Sequence, residues 1–480
     1  MKNKLYDVII IGGGCVGTAV ARTLSRFQLN ILLLEKGTEI CQGTTKANSA
    51  IIHGGYDNYP GSLKAKLNVQ GSKMFPKLAE ELGFTYNRCG SLVLALEEDQ
   101  IPILRELYQR GIQNGVEGLE ILSAQETRER EPAVNQRVYG SLSCFTAAVI
   151  DPFNYTYALM ENALENGAEL QVNREVTDLQ KTDRGIQVCC GEDRYESHYV
   201  VNAAGLYSGR IAEQAGDKGF DLIPTKGVYR LLDTDAKPEI HHVLFQTPTD
   251  AGKGVLVTPT YHGNIMIGPT ATRAEGPEDT TVDLDSLEWI DQMAKKSVPE
   301  LSLDKTIREF TGLRAKPVSG DFLIRPSTAL PGLIHAAGIE SPGLAASPAI
   351  ADYVLQLLGD AGLELHPDPQ FNPIRKAPIV LKELERDRQN QIIRGNPAYG
   401  RIVCRCETVS EGEILAAIHR PCGATTVDGI KRRVRPGMGR CQGGFCGPKV
   451  IEILARELHI PAEEVLKEHR GSSVIKGKIK

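Results

Sequence analysis

The first 35 residues alternate between apolar runs and glycine-rich or helical spacing. Residues 7–12 form an apolar, β-branched run that closes on a glycine turn, and residues 16–25 continue with helical spacing. A second apolar run, residues 29–34, ends at Glu35. A short apolar run, an amphipathic segment and another apolar run are typical of a parallel β-α-β unit.

The rest of the chain continues this alternation with strand-rich inserts. The patterns predict strands at 91–96, 170–172, 199–202, 254–257, 265–267 and 333–335, and helices at 63–82, 101–113, 155–166, 284–297 and 346–358. We expect an α/β fold in which a Rossmann-like cofactor-binding domain is interleaved with a mixed α+β substrate domain. The expected cofactor part covers roughly 1–85, 145–215 and 320–366, and the substrate part roughly 86–144 and 216–319.

The last quarter of the chain has a different pattern. Residues 367–400 are rich in proline and charge and predict a linker, whereas 410–420 and 425–434 read as two short helices lying between cysteines. We expect a small helical module at 401–455 and a tail at 456–480.

Composition adds the broad class. The 480 residues are 41% hydrophobic and 24% charged, which indicates a globular protein with large cores. Apolar runs stay well short of the ~18 residues that span a membrane, and the N-terminus leads straight into a predicted strand. We therefore expect a cytoplasmic protein without a transmembrane segment, in which the 11 cysteines stay reduced.

A dinucleotide fingerprint, G-x-G-x-x-G, follows the first predicted strand as Gly12, Gly14 and Gly17. The first glycine allows the tight turn, the second lets a pyrophosphate approach the backbone, and the third lets helix and strand pack closely. Glu35, at the end of the next strand, is placed to accept hydrogen bonds from ribose hydroxyls, and Lys36 adjoins it. The fingerprint predicts an adenine dinucleotide but serves FAD and NAD alike.

Three further segments, 43–55, 199–205 and 338–344, resemble the FAD-contacting motifs of the D-amino-acid-oxidase-like flavoenzyme superfamily. The resemblance spans residues 1 to about 365 and implies FAD. By position it places Thr44, Thr45, Asn48 and Ser49 at the pyrophosphate and flavin, Val176 at the adenine, Ala204 and Gly205 at the dinucleotide end, and Gly338, Ile339, Gly343 and Leu344 along the ribityl chain and pyrimidine. A helix starting after Gly343 would direct its positive end at the flavin.

Cys404, Cys406, Cys441 and Cys446 form the spacing C-x-C-x34-C-x4-C. Four thiolates can hold a 2Fe-2S cluster or a tetrahedral zinc ion, and zinc ribbons favour C-x2-C loops, which are lacking here. The arrangement resembles the bacterioferritin-associated-ferredoxin-like 2Fe-2S domain in the version fused to catalytic subunits of anaerobic glycerol-3-phosphate dehydrogenases. Cys422 is expected to be a packing residue.

Charge is uneven along the chain. Residues 401–480 contain 15 Lys and Arg against 9 Asp and Glu, while the rest of the chain is acidic. This asymmetry fits either a solvated surface or a positive face that steers an acidic redox partner. Arg432, Arg433, Arg435 and Arg440 are close to the cysteines in sequence and could raise the potential of a cluster there. They lack interleaved aromatics, so we expect no nucleic-acid binding.

Flavin and a one-electron cluster together suggest a dehydrogenase. His53 is a candidate base for an alcohol proton, or else a flavin contact. Arg314, with Lys316, is a candidate clamp for a phosphate or carboxylate. The resemblance implies an anionic secondary alcohol, sn-glycerol 3-phosphate first, oxidised to dihydroxyacetone phosphate.

Several alternatives stay open at this point. They are L-2-hydroxyglutarate or another 2-hydroxy acid, an amine or opine, and a non-catalytic electron-transfer subunit. Partners are expected to be an electron-accepting protein or companion subunits, with membrane association through them.

Overall fold

The computed structural model describes residues 4–248 and 254–477. Its α-helices in this part of the chain are α1 Cys15–Leu24, α2 Leu63–Leu82, α3 Ile101–Gln113, α4 Ala124–Arg130, α5 Pro152–Glu165, α6 Ser208–Gln214, α7 Leu284–Ser297, α8 Gly343–Asp360, α9 Arg386–Gly395, α10 Glu411–His419, α11 Val427–Val434 and α12 Gly447–Leu458. None of them is both long and apolar enough to cross a membrane.

The strands are shorter and more numerous. They are β1 Leu5–Ile11, β2 Ile31–Leu34, β3 Ile51–Ile52, β4 Tyr86–Asn87, β5 Ser91–Ala95, β6 Leu119–Ser123, β7 Gly140–Cys144, β8 Ala148–Ile150, β9 Glu169–Gln171, β10 Asp178–Thr182, β11 Gly185–Cys190, β12 Asp193–Asn202, β13 Leu222–Leu232, β14 Val243–Gln246, β15 Leu256–Pro259, β16 Ile265–Gly268, β17 Thr272–Arg273, β18 Thr306–Pro317, β19 Leu323–Pro326, β20 Leu333–Ala337, β21 Ile402–Cys404 and β22 Val409–Ser410.

The first sheet has eight strands and carries the predicted β-α-β unit. Its main order is β10-β11-β12-β1-β2-β9, with β20 beside β12 and β19 beside β20. The strands β9, β2, β1, β12 and β20 run parallel. Because side chains alternate along a strand, Val8 and Ile10 face a core shared with α1, α2, α5 and α8, while Ile9 and Ile11 face the opposite core with α6. The predicted Rossmann-like α/β fold is confirmed.

The second sheet has nine strands, drawn from residues 91–144 and 222–317. Its main order is β17-β13-β16-β15-β14-β5-β7-β6, and β18 pairs with β13 along almost its whole length. Helix α7 covers one face of this sheet and α3 the other. A third sheet, β3-β8-β4, has three short strands. In the sequence, each of them lies between strands of the two larger sheets.

The C-terminal module has a core of its own. Helices α10, α11 and α12 pack around Ile414, Ile430 and Ile453, beside the hairpin β21–β22. The segment 367–400, predicted as a linker, contains α9 and also a buried residue, Arg375, whose Nε donates to Glu161 Oε2 at 2.6 Å. The segment is therefore fastened to the body through at least this ion pair.

Basic residues of the module form ion pairs within this chain, although Arg440 is also exposed to solvent. Arg433 pairs with Glu39 at 2.6 Å, and Arg440 pairs with Asp233 at 3.0 Å, both across the interface with the body. Arg435 pairs with Glu407 inside the module at 2.8 Å. The acidic surface that these arginines meet belongs to the same chain.

Candidate active site and cluster-binding module

The fingerprint turn has the geometry that a dinucleotide requires. Gly12 has φ +108°, and a Cβ there would be 2.4 Å from the Ala203 carbonyl oxygen. A Cβ on Gly17 would be 1.9 Å from the Gly12 carbonyl oxygen, so helix and strand meet without a side chain between them. Helix α1 begins after Gly14 with neither a side-chain cap nor an acidic residue in its first turn. Its positive end is thus available to an anion.

Glu35 lies beneath this turn and organises it. The carboxylate accepts hydrogen bonds from Gly13 N at 2.8 Å and Gly37 N at 2.7 Å. Burial raises the pKa of Glu35 although these two amides lower it in part. Lys36 points outward, with its ammonium 3.5 Å from the centre of the Tyr207 ring.

The loop after β2 closes over the start of α1. Gly43–Lys46 forms a 3-10 turn, in which Thr45 Oγ1 accepts from Cys15 N at 3.1 Å and Thr44 Oγ1 donates to Leu313 O at 2.6 Å. Asn48 donates to the carbonyls of Thr44 and Thr45 and accepts from Ala50 N. The polar side chains of this loop thus fix both its own shape and its contacts with α1 and β18.

The segment before α8 forms the opposite wall. Gly338 has φ +62°, and a Cβ on Gly343 would be 2.5 Å from Ile339 Cγ2. The 18-residue helix α8 begins at Gly343, again with neither side-chain cap nor acidic residue in its first turn. Its dipole therefore favours negative charge at this wall.

A cavity of about 1130 Å³ joins these walls, which is larger than the 300–1,000 Å³ of typical small-molecule sites. Of the residues singled out from the sequence, its lining includes Gly14, Thr44, Thr45, Asn48, Ser49, Gly205, Ile339, Gly343, Leu344, His53, Arg314 and Lys316. Among the described residues the lining omits Gly12, Gly17, Glu35, Lys36, Val176, Ala204 and Gly338. Gly12, Gly17 and Glu35 shape the turn from behind, and Val176 is buried in the core on the other face of the sheet.

Strand β18 carries the charged end of the cavity. Arg314 and Lys316 alternate with buried residues and so project on one face. Arg314 Nη2 donates to Thr270 O at 3.1 Å, which leaves other donors of its guanidinium for a ligand. Lys226 on the neighbouring β13 is balanced by Asp279 at 3.7 Å and Asp283 at 3.6 Å.

His53 lines the same cavity near aromatic surface. Its ring centre is 5.8 Å from that of Phe245, and both residues also border a small cavity of about 30 Å³ behind. Ser49 Oγ and Tyr229 Oη are 3.2 Å apart on the cavity wall.

Sequence reasoning missed one ion pair in this cavity. Lys64 Nζ and Glu340 Oε1 are 2.8 Å apart, and both side chains are largely buried. The pair ties the start of α2 to the segment before α8. The sequence offers no signal for it, because the two residues are far apart in the chain and each is ordinary in its local pattern.

The four cysteines of the module come together as two adjacent pairs. Cys404 and Cys446 are buried and share a hydrogen bond between their thiols, and Cys406 and Cys441 do the same nearer the surface. No three Cys, His, Asp or Glu side chains in the described ranges converge as ligands of one metal ion. Two adjacent pairs suit a cluster of two iron atoms better than a single zinc ion.

The backbone around these thiols fits an anionic cluster. The hydrogen bond with Cys446 lowers the pKa of Cys404 to about 6, although burial opposes this, and the same bond raises the pKa of Cys446. The backbone of Gly437 and Glu407 lowers the pKa of Cys404 further. Backbone amides of Phe445 and Gly443 lower the pKa of Cys441. A Cβ on Gly439 would be 2.5 Å from Cys406 Cβ, so only glycine lets the two ligand loops approach.

Comparison with known proteins agrees with this geometry. Residues 7–357 match the family described as FAD dependent oxidoreductase, DAO. The chain belongs to this FAD dependent oxidoreductase family. It is an FAD-dependent oxidoreductase, and its residues 402–456 match the BFD-like [2Fe-2S] binding domain, so its cofactors are FAD and a 2Fe-2S cluster.

Three known proteins are similar to this flavoenzyme in sequence or structure. A glycerol 3-phosphate dehydrogenase of Caloramator mitchellensis is 45% identical over 476 residues, 99% of each chain. The structure of L-alpha-glycerophosphate oxidase from Mycoplasma pneumoniae with FAD bound superposes with TM-score 0.75 at 31% identity, covering 78% of this chain and 100% of that one. Mitochondrial L-2-hydroxyglutarate dehydrogenase of Bos taurus is 32% identical over 56% of this chain and 61% of its own.

Proposed function

We propose that this flavoenzyme oxidises sn-glycerol 3-phosphate to dihydroxyacetone phosphate and passes the electrons on through its 2Fe-2S cluster. The observation that carries the proposal is Arg314, whose guanidinium lines the same large cavity as the fingerprint turn and donates to Thr270 O, its one hydrogen bond among residues 4–248 and 254–477. Similarity to a glycerol 3-phosphate dehydrogenase over 99% of both chains, cluster module included, supports the same substrate.

The residues at the charged end suit a phosphate ester. A planar guanidinium binds phosphate oxygens in pairs, and Lys316 adds a second positive charge on the same face. Lys226 contributes less, because Asp279 and Asp283 already neutralise it. The net positive charge at Arg314 and Lys316 selects an anion and holds it by its end remote from the reacting carbon.

His53 is the candidate base. A neutral imidazole can accept the hydroxyl proton while the carbon-bound hydrogen leaves as hydride, and the position of His53 on the cavity wall beside Phe245 supports this role. When bound, FAD accepts that hydride as an electron pair, and the cluster supplies single-electron transfer to an acceptor.

An electron-accepting protein is the proposed partner, and the cytoplasm the proposed compartment. Cys406, in the outer thiol pair, is exposed, and Phe445 in the loop between two ligands is 89% exposed. A cluster edge open to solvent permits transfer to a docked partner. All 11 cysteines lie in the described residues and are free, as a reducing compartment would keep them.

A substrate panel tests the choice of alcohol. Anaerobic mixing of the holoenzyme with sn-glycerol 3-phosphate should bleach the flavin band, with kcat/KM at least about a hundredfold above L-2-hydroxyglutarate, glycerol and N-methyl amino acids. A higher kcat/KM for L-2-hydroxyglutarate than for sn-glycerol 3-phosphate would show that the enzyme is a dehydrogenase of a different substrate. Failure of the whole panel would make the protein an electron-transfer subunit.

A further inference from the structure

A buried carboxylate of the body accepts hydrogen bonds from the cluster module. Glu39 follows β2 and is 3% exposed. Its Oε1 accepts from the backbone amides of Thr425 and Thr426 and from Thr426 Oγ1 at 2.9 Å. Its Oε2 accepts from Arg433 Nη1 at 2.6 Å, and that guanidinium stacks 3.9 Å above the Tyr157 ring. Glu39 and Tyr157 are thus two points at which α11 is fastened to the body.

A second contact holds the other end of the same loop. Glu468, in the tail that follows the module, accepts from Lys46 Nζ at 2.7 Å and from Arg432 Nη1 at 2.7 Å. Lys46 is the last residue of the 3-10 turn that closes over α1. The predicted tail is therefore in contact with the turn Gly43–Lys46.

Between these two contacts, the loop touches the fingerprint directly. A Cβ on Gly13 would be 2.6 Å from Ile40 Cγ2, and Cys41 N donates to Gly13 O at 2.9 Å. Thr45, next to Lys46, accepts from Cys15 N in the first turn of α1. Residues adjacent to each fastened position therefore contact the glycine turn and the helix start, which would hold the pyrophosphate of FAD.

We propose that the cluster module is a latch on residues 39–46, so that module docking and FAD binding stabilise each other, with Glu39, Arg433, Lys46 and Glu468 as positioning residues. If docking favours FAD, FAD must favour docking by the same factor, because coupling between two equilibria is reciprocal. The proposal rests on FAD binding and is independent of which substrate the enzyme oxidises.

The charge state of Glu39 favours the docked module at neutral pH. Burial alone would raise the pKa of Glu39, but Arg433 and Arg432 more than offset it and leave the pKa below its usual value. The carboxylate remains ionised and paired at neutral pH.

Arg433→Met tests the latch from the module side, away from any cofactor contact. Deflavinated protein that retains its cluster is titrated with FAD, and flavin fluorescence gives the Kd. We expect a rise of about tenfold, within the 5–150-fold range of site-to-site coupling. Arg433→Lys, which keeps the charge, should recover part of the affinity.

Arg420→Met is the matched control. Arg420 also joins module to body, through Glu161 at 2.6 Å, but Glu161 lies on α5 and not on the loop. Because the contacts that hold residues 39–46 stay in place in this variant, its Kd for FAD should stay within about twofold of the unchanged protein. An unchanged Kd in Arg433→Met, or an equal loss in both variants, would overturn the latch.

Hydrogen exchange of the unchanged protein gives a second measurement that no folding defect can affect. Adding FAD should slow exchange of the amides in α11, Val427–Val434, by about fivefold or more, while α3, Ile101–Gln113, stays constant. Equal rates in α11 with and without FAD would show that the module does not sense the cofactor.

Discussion

Replacing Arg314 by methionine removes the guanidinium from the charged end of the cavity while keeping a side chain of similar length. One of its amino groups is held by the Thr270 carbonyl at 3.1 Å, so the head is already oriented and retains further donors for a phosphate. Hydrogen bonds to charged groups contribute about 1.5–3 kcal/mol each. Two such bonds, at the lower end because Arg314 is half-buried, amount to about 3–4 kcal/mol.

This energy corresponds to a loss of about 10²–10³ in kcat/KM for sn-glycerol 3-phosphate. A clamp that holds the phosphate equally in the ground state and the transition state raises KM and leaves kcat almost unchanged. Arg314→Lys should lose about tenfold, since it keeps the charge but not the fork. The assay is anaerobic flavin reduction under varied substrate concentration, with FAD content checked in each variant.

Arg273→Met is the matched control, because Arg273 lines the same cavity but is exposed on β17. Its removal should change KM by about threefold or less, as expected for a screened surface charge. A KM for Arg314→Met within twofold of the unchanged enzyme, or an equal loss in Arg273→Met, would refute the clamp.

Three further predictions address the cofactor sites and the interface. Gly17→Ala should abolish FAD retention, since its Cβ would be 1.9 Å from a backbone oxygen, whereas Gly359→Ala in α8 should retain FAD, as absorbance of the purified proteins will show. Burial raises the pKa of Glu468, but Lys46 and Arg432 lower it to about 2, below the usual 4.5. The stability it contributes is present above about pH 4.5 and is lost as pH falls towards 2, so Glu468→Gln should flatten thermal stability across that window. Cys406→Ser should remove the visible absorbance of the cluster and its iron, whereas Cys422→Ala should keep both and lower stability by about 1 kcal/mol.

Strong periodicity made part of the fold predictable. The helices Leu63–Leu82, Ile101–Gln113 and Leu284–Ser297 begin and end where their apolar spacing predicts. The long strand β18 was not predicted, because its polar positions 308 and 309 interrupt alternation and its pairing with β13 is a long-range contact. The site was partly predictable for the same reason: glycine and cysteine spacing is local, whereas the Lys64–Glu340 pair arises only when two distant segments meet.

The interface charges show the limit of composition. The excess of Lys and Arg in residues 401–480 allowed either a solvated surface or a face for an outside partner. Much of it instead meets carboxylates of the same chain, such as Glu39 and Glu161. Net charge cannot distinguish an intermolecular surface from an intramolecular one, because both need complementary charge.

In the proposed function, oxidation of sn-glycerol 3-phosphate in the body sends electrons to the cluster of the module. Anaerobic mixing of the holoenzyme with excess substrate, followed by optical and electron paramagnetic resonance spectra of the same sample, tests it most directly. We predict that the flavin band bleaches, the signal of a reduced 2Fe-2S cluster appears, and dihydroxyacetone phosphate forms. Bleaching of the flavin with a cluster that stays oxidised, although dithionite reduces it, would contradict the electron route, and no bleaching would contradict the substrate.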